Sequence, residues 1–332
     1  MNLLYHAKLK RMKDTALEFI AKALVAPGKG ILAADESLPT IEKRFKPIGI
    51  ESTEANRRAY RELLFTTPGI EEFISGIIMF DETLRQQILT NKAIIPGIKV
   101  DQGTEELPNH PGEKITKGIK GLGERLKEYQ ALGAKFSKWR AVFTIGQATP
   151  SVECLEKNSL LLAEFAAVSQ AEGFVPIVEP EVLMDGNHGI DRCSEVTKAV
   201  LKFVFIKLKE KGVQLTGLLL KPNMVLPGEK FLNKAGPVEV AQKTLEIMKE
   251  CVPPEVPGIV FLSGGQSPEE TTDNLREMNR IGGVPWQLSF SFGRALQDPV
   301  LRAWQGRPEN KKTAQEAFFN RAKINSEARY GK

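Results

Sequence analysis

Short apolar, β-rich runs recur eight times along this 332-residue chain, with amphipathic stretches between them. The runs cover residues 30–35, 73–80, 95–101, 134–145, 174–180, 217–223, 258–265 and 286–293. Two intervening stretches, 159–173 and 194–212, end on glycine as helices often do. Eight strand-then-helix units predict an α/β fold, a (β/α)₈ TIM barrel. We expect a single barrel domain over residues 1–332, with an N-terminal helix and a short C-terminal helix.

A doubly wound parallel sheet is the alternative architecture for such a pattern. That fold needs a glycine-rich phosphate turn directly after an early strand. In "GKGILAAD", residues 28–35, the glycines precede the predicted strand instead. The barrel is therefore the favoured prediction.

The charge balance and the cysteine usage exclude several classes of protein. The chain carries 46 basic and 41 acidic residues, a net charge of +5 that is too small to predict a nucleic-acid partner. No run of 18 apolar residues and no signal-peptide core occur, so no membrane partner is expected. The three cysteines, Cys154, Cys193 and Cys251, are too scattered for a disulfide framework. These features predict a cytoplasmic protein.

Polar residues stand at the ends of most of the predicted strands. Six of the eight runs end on Asp35, Lys99 with Asp101, Lys138 with Arg140, Glu179 with Glu181, Lys221, and Ser263. A single polar residue at a strand end usually marks only the exit to solvent. In a barrel, however, the carboxyl ends of all strands open on one face, where active sites form. Six such ends together predict an active site.

Lys221 directly follows three leucines, and its sequence context allows three different roles. It is a snorkelling surface residue, half of a buried ion pair, or a lysine kept uncharged for chemistry. A free lysine has a pKa of about 10.4 and is no nucleophile at neutral pH. Desolvation and a second cation such as Lys138 would lower that pKa and allow a Schiff base with a carbonyl substrate. A carboxyl group such as Glu179 or Glu181 would suit the proton transfers.

Two stretches near the end of the chain are typical of anion-binding sites. "FLSGGQS" (261–267) follows a predicted strand, and "FSFGRAL" (290–296) leads into a predicted helix. Bare backbone amides, hydroxyls, a guanidinium and a helix N-terminus would all favour phosphate there. Taken singly, each stretch is equally well a glycine turn. The residues concerned are Ser263, Gly264, Gly265, Ser291, Gly293 and Arg294.

Metal chemistry finds little support in the sequence. His6, His110 and His188 are the only histidines, and none is paired at ligand spacing. Cys193 lies near His188 but has no second cysteine beside it. We therefore expect a mechanism without a metal ion or another cofactor.

Specific stretches of this chain resemble the class I fructose-bisphosphate aldolases. They are "KGILAADES", "ESTEANRRAYRELL", "PGIKVD", "FSKWR", "VPIVEPE", "DGNHGIDR", "LLKPNMV", "GIVFLSGGQS" and "SFGRALQ". The similarity runs from about Lys29 to about Asn325 and includes the polar strand ends described above. As a set, these stretches are highly specific.

The resemblance implies a role for each residue of the predicted catalytic set. Lys221 matches the Schiff-base lysine, and Glu179 matches the acid/base group that dehydrates the carbinolamine. Glu181 matches a neighbouring active-site carboxylate. Asp35 matches the aspartate that handles the proton of the fourth-carbon hydroxyl, and Lys138 matches a lysine close to the nucleophile.

The resemblance also implies two phosphate sites and therefore a bisphosphate substrate. The six residues of the two glycine-containing stretches match the cradle of the first-carbon phosphate. A second set also matches residues that meet substrate phosphate, with Thr40 providing a nearby hydroxyl; this set is Ser37, Arg44, Lys99 and Arg140. The implied reaction is the reversible cleavage of fructose 1,6-bisphosphate to dihydroxyacetone phosphate and glyceraldehyde 3-phosphate. Members of the family form homotetramers, which we expect here as well.

Two alternatives and two departures qualify this interpretation. A transaldolase-like Schiff-base enzyme would need only one strong phosphate site, and a non-catalytic aldolase-like scaffold would not need the catalytic residues.

Phe292 stands where many relatives carry Tyr. Many relatives also continue into a mobile tail ending in Tyr, whereas Tyr330 is the tyrosine nearest the end here. We therefore expect normal carbon–carbon cleavage but slow protonation of the enamine.

Overall fold

The computed structural model describes residues 14–332 as a closed barrel of eight parallel strands. The barrel strands are β1 (Gly30–Ala34), β2 (Ile74–Met79), β3 (Ile95–Lys99), β6 (Phe136–Phe143), β7 (Val175–Val182), β8 (Leu219–Leu220), β9 (Gly258–Phe261) and β10 (Gln287–Phe292). They follow chain order around the barrel, and β10 pairs with β1 to close it. All eight predicted strands and the (β/α)₈ fold are confirmed. A small antiparallel hairpin, not predicted, lies between β3 and β6; its strands are β4 (Thr104–Glu106) and β5 (Lys114–Thr116).

Helices connect the strands and surround the barrel. They are α1 (14–24), α2 (Leu38–Phe45), α3 (Glu54–Phe65), α4 (Asp81–Arg85), α5 (Leu122–Ala131), α6 (Val152–Ala171), α7 (Ile190–Glu210), α8 (Pro237–Cys251), α9 (Pro268–Ile281), α10 (Arg294–Trp304) and α11 (Lys311–Ala328). Gly173 and Gly212 follow α6 and α7 with φ of 83° and 66°, the left-handed conformation that terminates helices. Any part of the predicted N-terminal helix before residue 14 lies outside the described residues.

Helix α1 closes the amino end of the barrel. Its Leu17 and Leu24 belong to one buried cluster with the inward-facing strand residues Ile31, Ala33, Ile78, Phe136, Val175, Ile177, Leu219 and Val260. Glycines make room for this helix: a Cβ added at Gly217 would lie 2.8 Å from Leu17, and one at Gly76 would lie 2.6 Å from Leu24. Because the amino end is filled with apolar side chains, the carboxyl ends of the strands are left for a polar site.

Candidate active site

The two-residue period of the strands directs the predicted catalytic side chains into the barrel. On β7, Val175 and Ile177 face the interior cluster while Val178 packs against the outer helices, so Glu179 faces inward. The same alternation applies on β6, where Phe136 is inward and Trp139 stacks on α6 at 5.7 Å from Phe165. By that rule the inward positions are those of Asp35, Lys138, Glu179, Glu181 and Lys221.

Four of these side chains form one chain of alternating charges. The Nζ of Lys138 lies 2.6 Å from Oδ2 of Asp35 and 3.1 Å from Oε2 of Glu179. The other oxygen of Glu179, Oε1, lies 3.2 Å from the Nζ of Lys221. Every one of the four side chains is at most 12% exposed. Such burial is tolerable because each charge faces an opposite one.

The charges fix the protonation states of the cluster. Burial alone would raise the pKa of Asp35, but the ammonium groups of Lys138 and Lys221 outweigh it and hold this pKa at about 2. The same two lysines also outweigh burial at Glu179 and lower its pKa. Conversely, burial would lower the pKa of Lys138, but Asp35 and Glu179 raise it well above its ordinary value. At neutral pH, Asp35 and Glu179 are therefore carboxylates and Lys138 is an ammonium.

The structure excludes one of the three interpretations of Lys221. Only 3% of this residue is exposed, so it is not a snorkelling surface lysine. It is half of a buried ion pair with Glu179, and Lys138 is the second cation on the same carboxylate. Lys138 and Glu179, however, lie within strands β6 and β7 rather than at their ends, and β7 continues two residues past its predicted end at residue 180.

A second polar layer lies toward the mouth of the barrel. Glu181 accepts a hydrogen bond from Nε of Arg140, whose side chain is 41% exposed. Lys99 lies 2.8 Å from Oδ1 of Asp101, whose other carboxylate oxygen accepts the backbone N–H of Arg140. Lys99 and Arg140 are thus held by carboxylates while Arg140 reaches toward solvent.

The two glycine-containing stretches lie side by side. Strands β9 and β10 are neighbours, with Phe261 paired with Phe290, so the segments that follow them are adjacent. Ser263 is buried, and Gly264 adopts a left-handed φ of 54° in the turn after β9. The hydroxyl of Ser291 is buried and has no hydrogen-bond partner among residues 14–332. An unpaired buried hydroxyl is costly, which suits a position that a ligand completes.

Two arginines beside this region lack a close counter-ion. Neither Arg44 nor Arg294 has a carboxylate within 4 Å in the described part of the chain. Burial and then the positive charge of Arg44 lower the pKa of Arg294, and the more distant carboxylates of Glu181 and Asp298 offset this only in part. Arg294 is also the first residue of α10, where the helix dipole favours an anion. The excess of positive charge fits a phosphate group.

The remaining members of the predicted set lie on α2 or directly before it. Ser37 precedes this helix, and its hydroxyl lies 3.0 Å from that of Thr40 in the first turn. Arg44 is in the last turn of the same short helix. Helix α2 therefore carries two hydroxyls and a guanidinium that the sequence assigned to substrate phosphate.

The sequence interpretation missed a buried polar network behind this region. Glu36, Arg61 and Gln297 are joined by hydrogen bonds, and Arg61 is only 2% exposed. The available signal was Arg61 itself, a charged residue among the core-facing positions of α3 beside Tyr60 and Leu64. A charge in an apolar helix face requires a buried partner.

A metal site and a membrane-spanning helix are both missing from the described residues. No group of three His, Cys, Asp or Glu side chains between residues 14 and 332 could hold a metal ion. His110 instead contacts Glu153 at 2.8 Å, and His6 lies outside the described residues. Within the same part of the chain, no helix is long and apolar enough to cross a bilayer. Metal independence itself stays a prediction.

Known proteins are similar to this chain in sequence and fold over nearly its whole length. The family described as fructose-bisphosphate aldolase class-I matches residues 16–332. A protein of Xanthomonas axonopodis pv. citri named "Probable fructose-bisphosphate aldolase class 1" is 51% identical over 322 residues, which cover 94% of this chain and 96% of that protein. "Fructose-bisphosphate aldolase 4, cytosolic" of Arabidopsis thaliana is 49% identical, covering 99% of this chain and 86% of its own length.

A solved structure agrees with the sequence comparisons. Fructose-bisphosphate aldolase from Plasmodium falciparum, determined in complex with TRAP and a small-molecule inhibitor, superposes with a TM-score of 0.95. It is 48% identical, and the alignment covers 96% of this chain and 95% of that one. This chain therefore belongs to the class-I fructose-bisphosphate aldolase family.

Proposed function

We propose that Lys221 carries the Schiff base through which this class-I aldolase reversibly cleaves fructose 1,6-bisphosphate. The observation that carries the assignment is the buried cluster in which Lys138 and Lys221 share the carboxylate of Glu179. Of the two lysines, Lys138 is held between two carboxylates, whereas Lys221 contacts only one in the part of the chain that the structure describes. Lys221 thus has one carboxylate within 4 Å among the described residues, that of Glu179, which can act as its proton acceptor.

Glu179 is the proposed acid and base of the first stage. Its Oε1 lies 3.2 Å from Lys221 and takes the proton of the ammonium. The free amine then adds to the carbonyl of the second substrate carbon and forms a carbinolamine. Glu179 returns the proton to the new hydroxyl, which leaves as water, and a cationic iminium remains. Lys138 stays protonated throughout and stabilises the carboxylates electrostatically.

Asp35 is the proposed base of the cleavage stage. With a pKa of about 2 it is ionised at neutral pH, as a proton acceptor must be. It takes the proton of the fourth-carbon hydroxyl while the bond between the third and fourth carbons breaks. The bonding electrons move to the iminium nitrogen and give an enamine, and glyceraldehyde 3-phosphate leaves. Protonation of the enamine and hydrolysis then release dihydroxyacetone phosphate.

The positive charges around the site favour two phosphate groups in one substrate. We assign the first-carbon phosphate to the segments that follow β9 and β10, where Ser291 has an unpaired hydroxyl and Arg294 starts a helix. We assign contacts with substrate phosphate also to Lys99, Arg140 and the α2 residues. A transaldolase-like substrate with one phosphate would leave one of these regions unused. A non-catalytic scaffold would not need the complete buried cluster.

Trapping with borohydride tests the role of Lys221 directly. Reduction in the presence of dihydroxyacetone phosphate should leave a covalent three-carbon phosphate adduct on the peptide that contains Lys221. The matched control is Lys22→Met, which removes an exposed lysine paired with Glu18 and should leave trapping unchanged. An adduct on Lys138 and none on Lys221 would contradict the assignment.

The assembly and the cellular location are further proposals from the same family membership. The homotetramer that the family resemblance implies is testable by light scattering on the purified chain. A cytoplasmic location is supported by three cysteines that form no disulfide and by the cytosolic location printed in the name of the Arabidopsis relative. Fractionation of the native cell would test it.

A further inference from the structure

The side chain of Gln297, on the first turn of α10, uses its full hydrogen-bonding capacity inside the protein. Its Nε2 donates to the carbonyl oxygen of Ala33 and to Oε1 of Glu36, both at 2.7 Å. Its Oε1 accepts from the hydroxyl of Tyr60 at 3.0 Å and from Nη1 of Arg61 at 3.4 Å. Gln297 is only 2% exposed. An amide offers two donors and two acceptor positions, so all four are occupied.

The Gln297 amide links β1 to α10 just beyond the last backbone pairing between β1 and β10. Strands β1 and β10 pair only at Ile31 with Ser291 and at Leu32 with Phe292. Beyond Phe292 the chain turns at Gly293 into α10, so β10 no longer runs beside Ala33. The Nε2 of Gln297 reaches the Ala33 carbonyl in its place. The two strands are thus tied at the level of the active site by a side chain.

The partners of Gln297 place it between two parts of the proposed site. Ala33 and Glu36 flank Asp35, the proposed base for cleavage. Gln297 itself follows Arg294 by three residues, and its N–H donates to Gly293 in the first turn of the helix. A shift at this amide would therefore move the aspartate relative to the phosphate end of the site.

The other side of the amide is anchored to a rigid layer. Arg61 forms a buried ion pair with Glu36 at 2.6 Å. Tyr60 stacks on Trp304 of α10 with 5.3 Å between ring centroids, and it meets Phe45 edge-on at 5.7 Å. Phe45 directly follows Arg44 in α2. Helices α2, α3 and α10 and the end of β1 thus meet around one glutamine.

We propose that Gln297 is a positioning residue that holds Asp35 and Arg294 at the separation the bisphosphate requires. The proposal rests on the roles given above to those two residues and deepens them. Gln297 does not touch the reacting atoms; it acts through the Ala33 carbonyl, through Glu36 and through its own helix. Misplacement of a reacting group by about 1 Å typically costs about a hundredfold in rate. Its loss should therefore affect cleavage more than Schiff-base formation at Lys221.

The test compares Gln297→Leu with Gln297→Glu, which has nearly the same size but lacks the two donors. For both variants we expect the cleavage kcat to fall roughly tenfold to a hundredfold and the KM for fructose 1,6-bisphosphate to rise. Borohydride trapping with saturating dihydroxyacetone phosphate should stay within about twofold of the wild type, because none of the hydrogen bonds of the amide goes to Lys221 or Glu179. Tyr60→Phe removes one of the four hydrogen bonds. It should lower the cleavage kcat by a smaller factor, again with trapping nearly unchanged.

Gln170→Leu is the matched control. Its Nε2 also donates to two backbone carbonyls, of Gln214 at 2.8 Å and of Gly217 at 3.1 Å, but at the amino end of the barrel. This variant should lose thermal stability and keep the wild-type kcat per folded molecule. An equal loss of trapping and cleavage in the Gln297 variants would mean a purely structural role and would overturn the proposal, as would unchanged cleavage in Gln297→Glu.

Trapping experiments on the wild-type protein distinguish a failure of this inference from a failure of the proposed function. Trapping of the wild type on Lys221, together with unaltered cleavage in all three network variants, would overturn the role of Gln297 alone. Absence of trapping in the wild type would refute the proposed nucleophile, and the role given to Gln297 would fall with it. Selective loss of cleavage with retained trapping is the result that supports both.

Discussion

The two ends of the barrel bury basic side chains in opposite ways. At the carboxyl end, Lys138 lies between the carboxylates of Asp35 and Glu179. At the amino end, Arg329 is only 8% exposed, and each of its hydrogen bonds within residues 14–332 goes to a neutral oxygen. These acceptors are the carbonyls of Val25, Ala26, Lys29 and Leu288 and the side-chain amide of Gln287.

The difference appears in the acid–base equilibria of the two ends. Burial lowers the pKa of Arg329 to about 10, because neutral dipoles replace bulk water only in part. At the carboxyl end, opposite charges outweigh burial and hold the pKa of Asp35 at about 2. A carboxylate that is ionised at neutral pH, as Asp35 is, can accept a proton from a substrate. A guanidinium among carbonyls can only fix the backbone, so we expect the amino end to be structural and the carboxyl end, with the proposed catalytic residues, to carry the chemistry.

The largest effect that tests this contrast is expected from Arg329→Met. The substitution leaves several buried carbonyls unpaired between α1, β1 and β10, and each hydrogen bond to a charged group contributes about 1.5–3 kcal/mol. We expect the free energy of unfolding to fall by about 3 kcal/mol, with some bonds replaced by water. The kcat for cleavage per folded molecule should not change, because the lost contacts lie at the end opposite Lys221. Denaturant unfolding and steady-state cleavage measure the two quantities.

Arg280→Met is the control for that experiment. Arg280 pairs with Glu277 on α9 and its side chain is 59% exposed, so its loss should hardly change stability. If Arg329→Met lowered kcat as strongly as it lowered stability, the amino end would not be merely structural. The contrast between the two ends would then be wrong.

A smaller effect is expected from acid titration of the carboxyl end. The folded-state pKa of Asp35 is about 2 against an ordinary value of 3.8, so its ion pair stabilises the fold above about pH 4. That contribution is lost as the pH falls from 3.8 toward 2, and the shift corresponds to about 2 kcal/mol. The stability advantage of the wild type over Asp35→Asn should therefore shrink by about this amount between about pH 5 and pH 2. A constant advantage across that range in chemical denaturation would show that Asp35 is not charge-stabilised.

Polar residues at the strand ends made much of the carboxyl end predictable from sequence. In "FSKWR" and "VPIVEPE", charged residues stand in or directly after β-rich runs, and the carboxyl ends of all barrel strands open on one face. The resemblance then supplied the roles that position in the strands cannot. Strand β8 was predicted seven residues long but has only two, although the backbone N–H of Lys221 still donates to Val178 of β7 at 2.8 Å.

Other features could not be predicted because their causes are distant in sequence. Gln297 bonds to Ala33 across 264 residues, and nothing local distinguishes it from a surface glutamine on an amphipathic helix. The β4–β5 hairpin was missed because the Thr104–Glu106 strand is fully exposed and acidic, a composition depleted in strands. Ion pairs across the hairpin, including Lys117 with Glu105 at 3.5 Å, compensate for that low propensity.

The smallest expected effect concerns Tyr330, which the sequence left as a possible source of the proton for the enamine. Its hydroxyl lies at the amino end: a Cβ built on Gly28, just before β1, would be 2.6 Å from it. From Gly30 to Asp35 the strand advances about 16 Å, so the ring is on the wrong side of the barrel for proton transfer near Lys221. Helix α11 ends beside Arg329, which fixes this direction.

Tyr330→Phe should therefore leave solvent-deuterium exchange into dihydroxyacetone phosphate unchanged, because exchange reports protonation of the enamine without cleavage. Lys221→Met should show no exchange and so gives the background rate of the assay, since no enamine forms without the proposed nucleophile. The side chain of Tyr330 is 57% exposed, so loss of its hydroxyl should also cost little stability. A several-fold slower exchange in Tyr330→Phe would mean that this tyrosine leaves the amino end during turnover. The separation of a structural end from a chemical end would then not hold for the C-terminal segment.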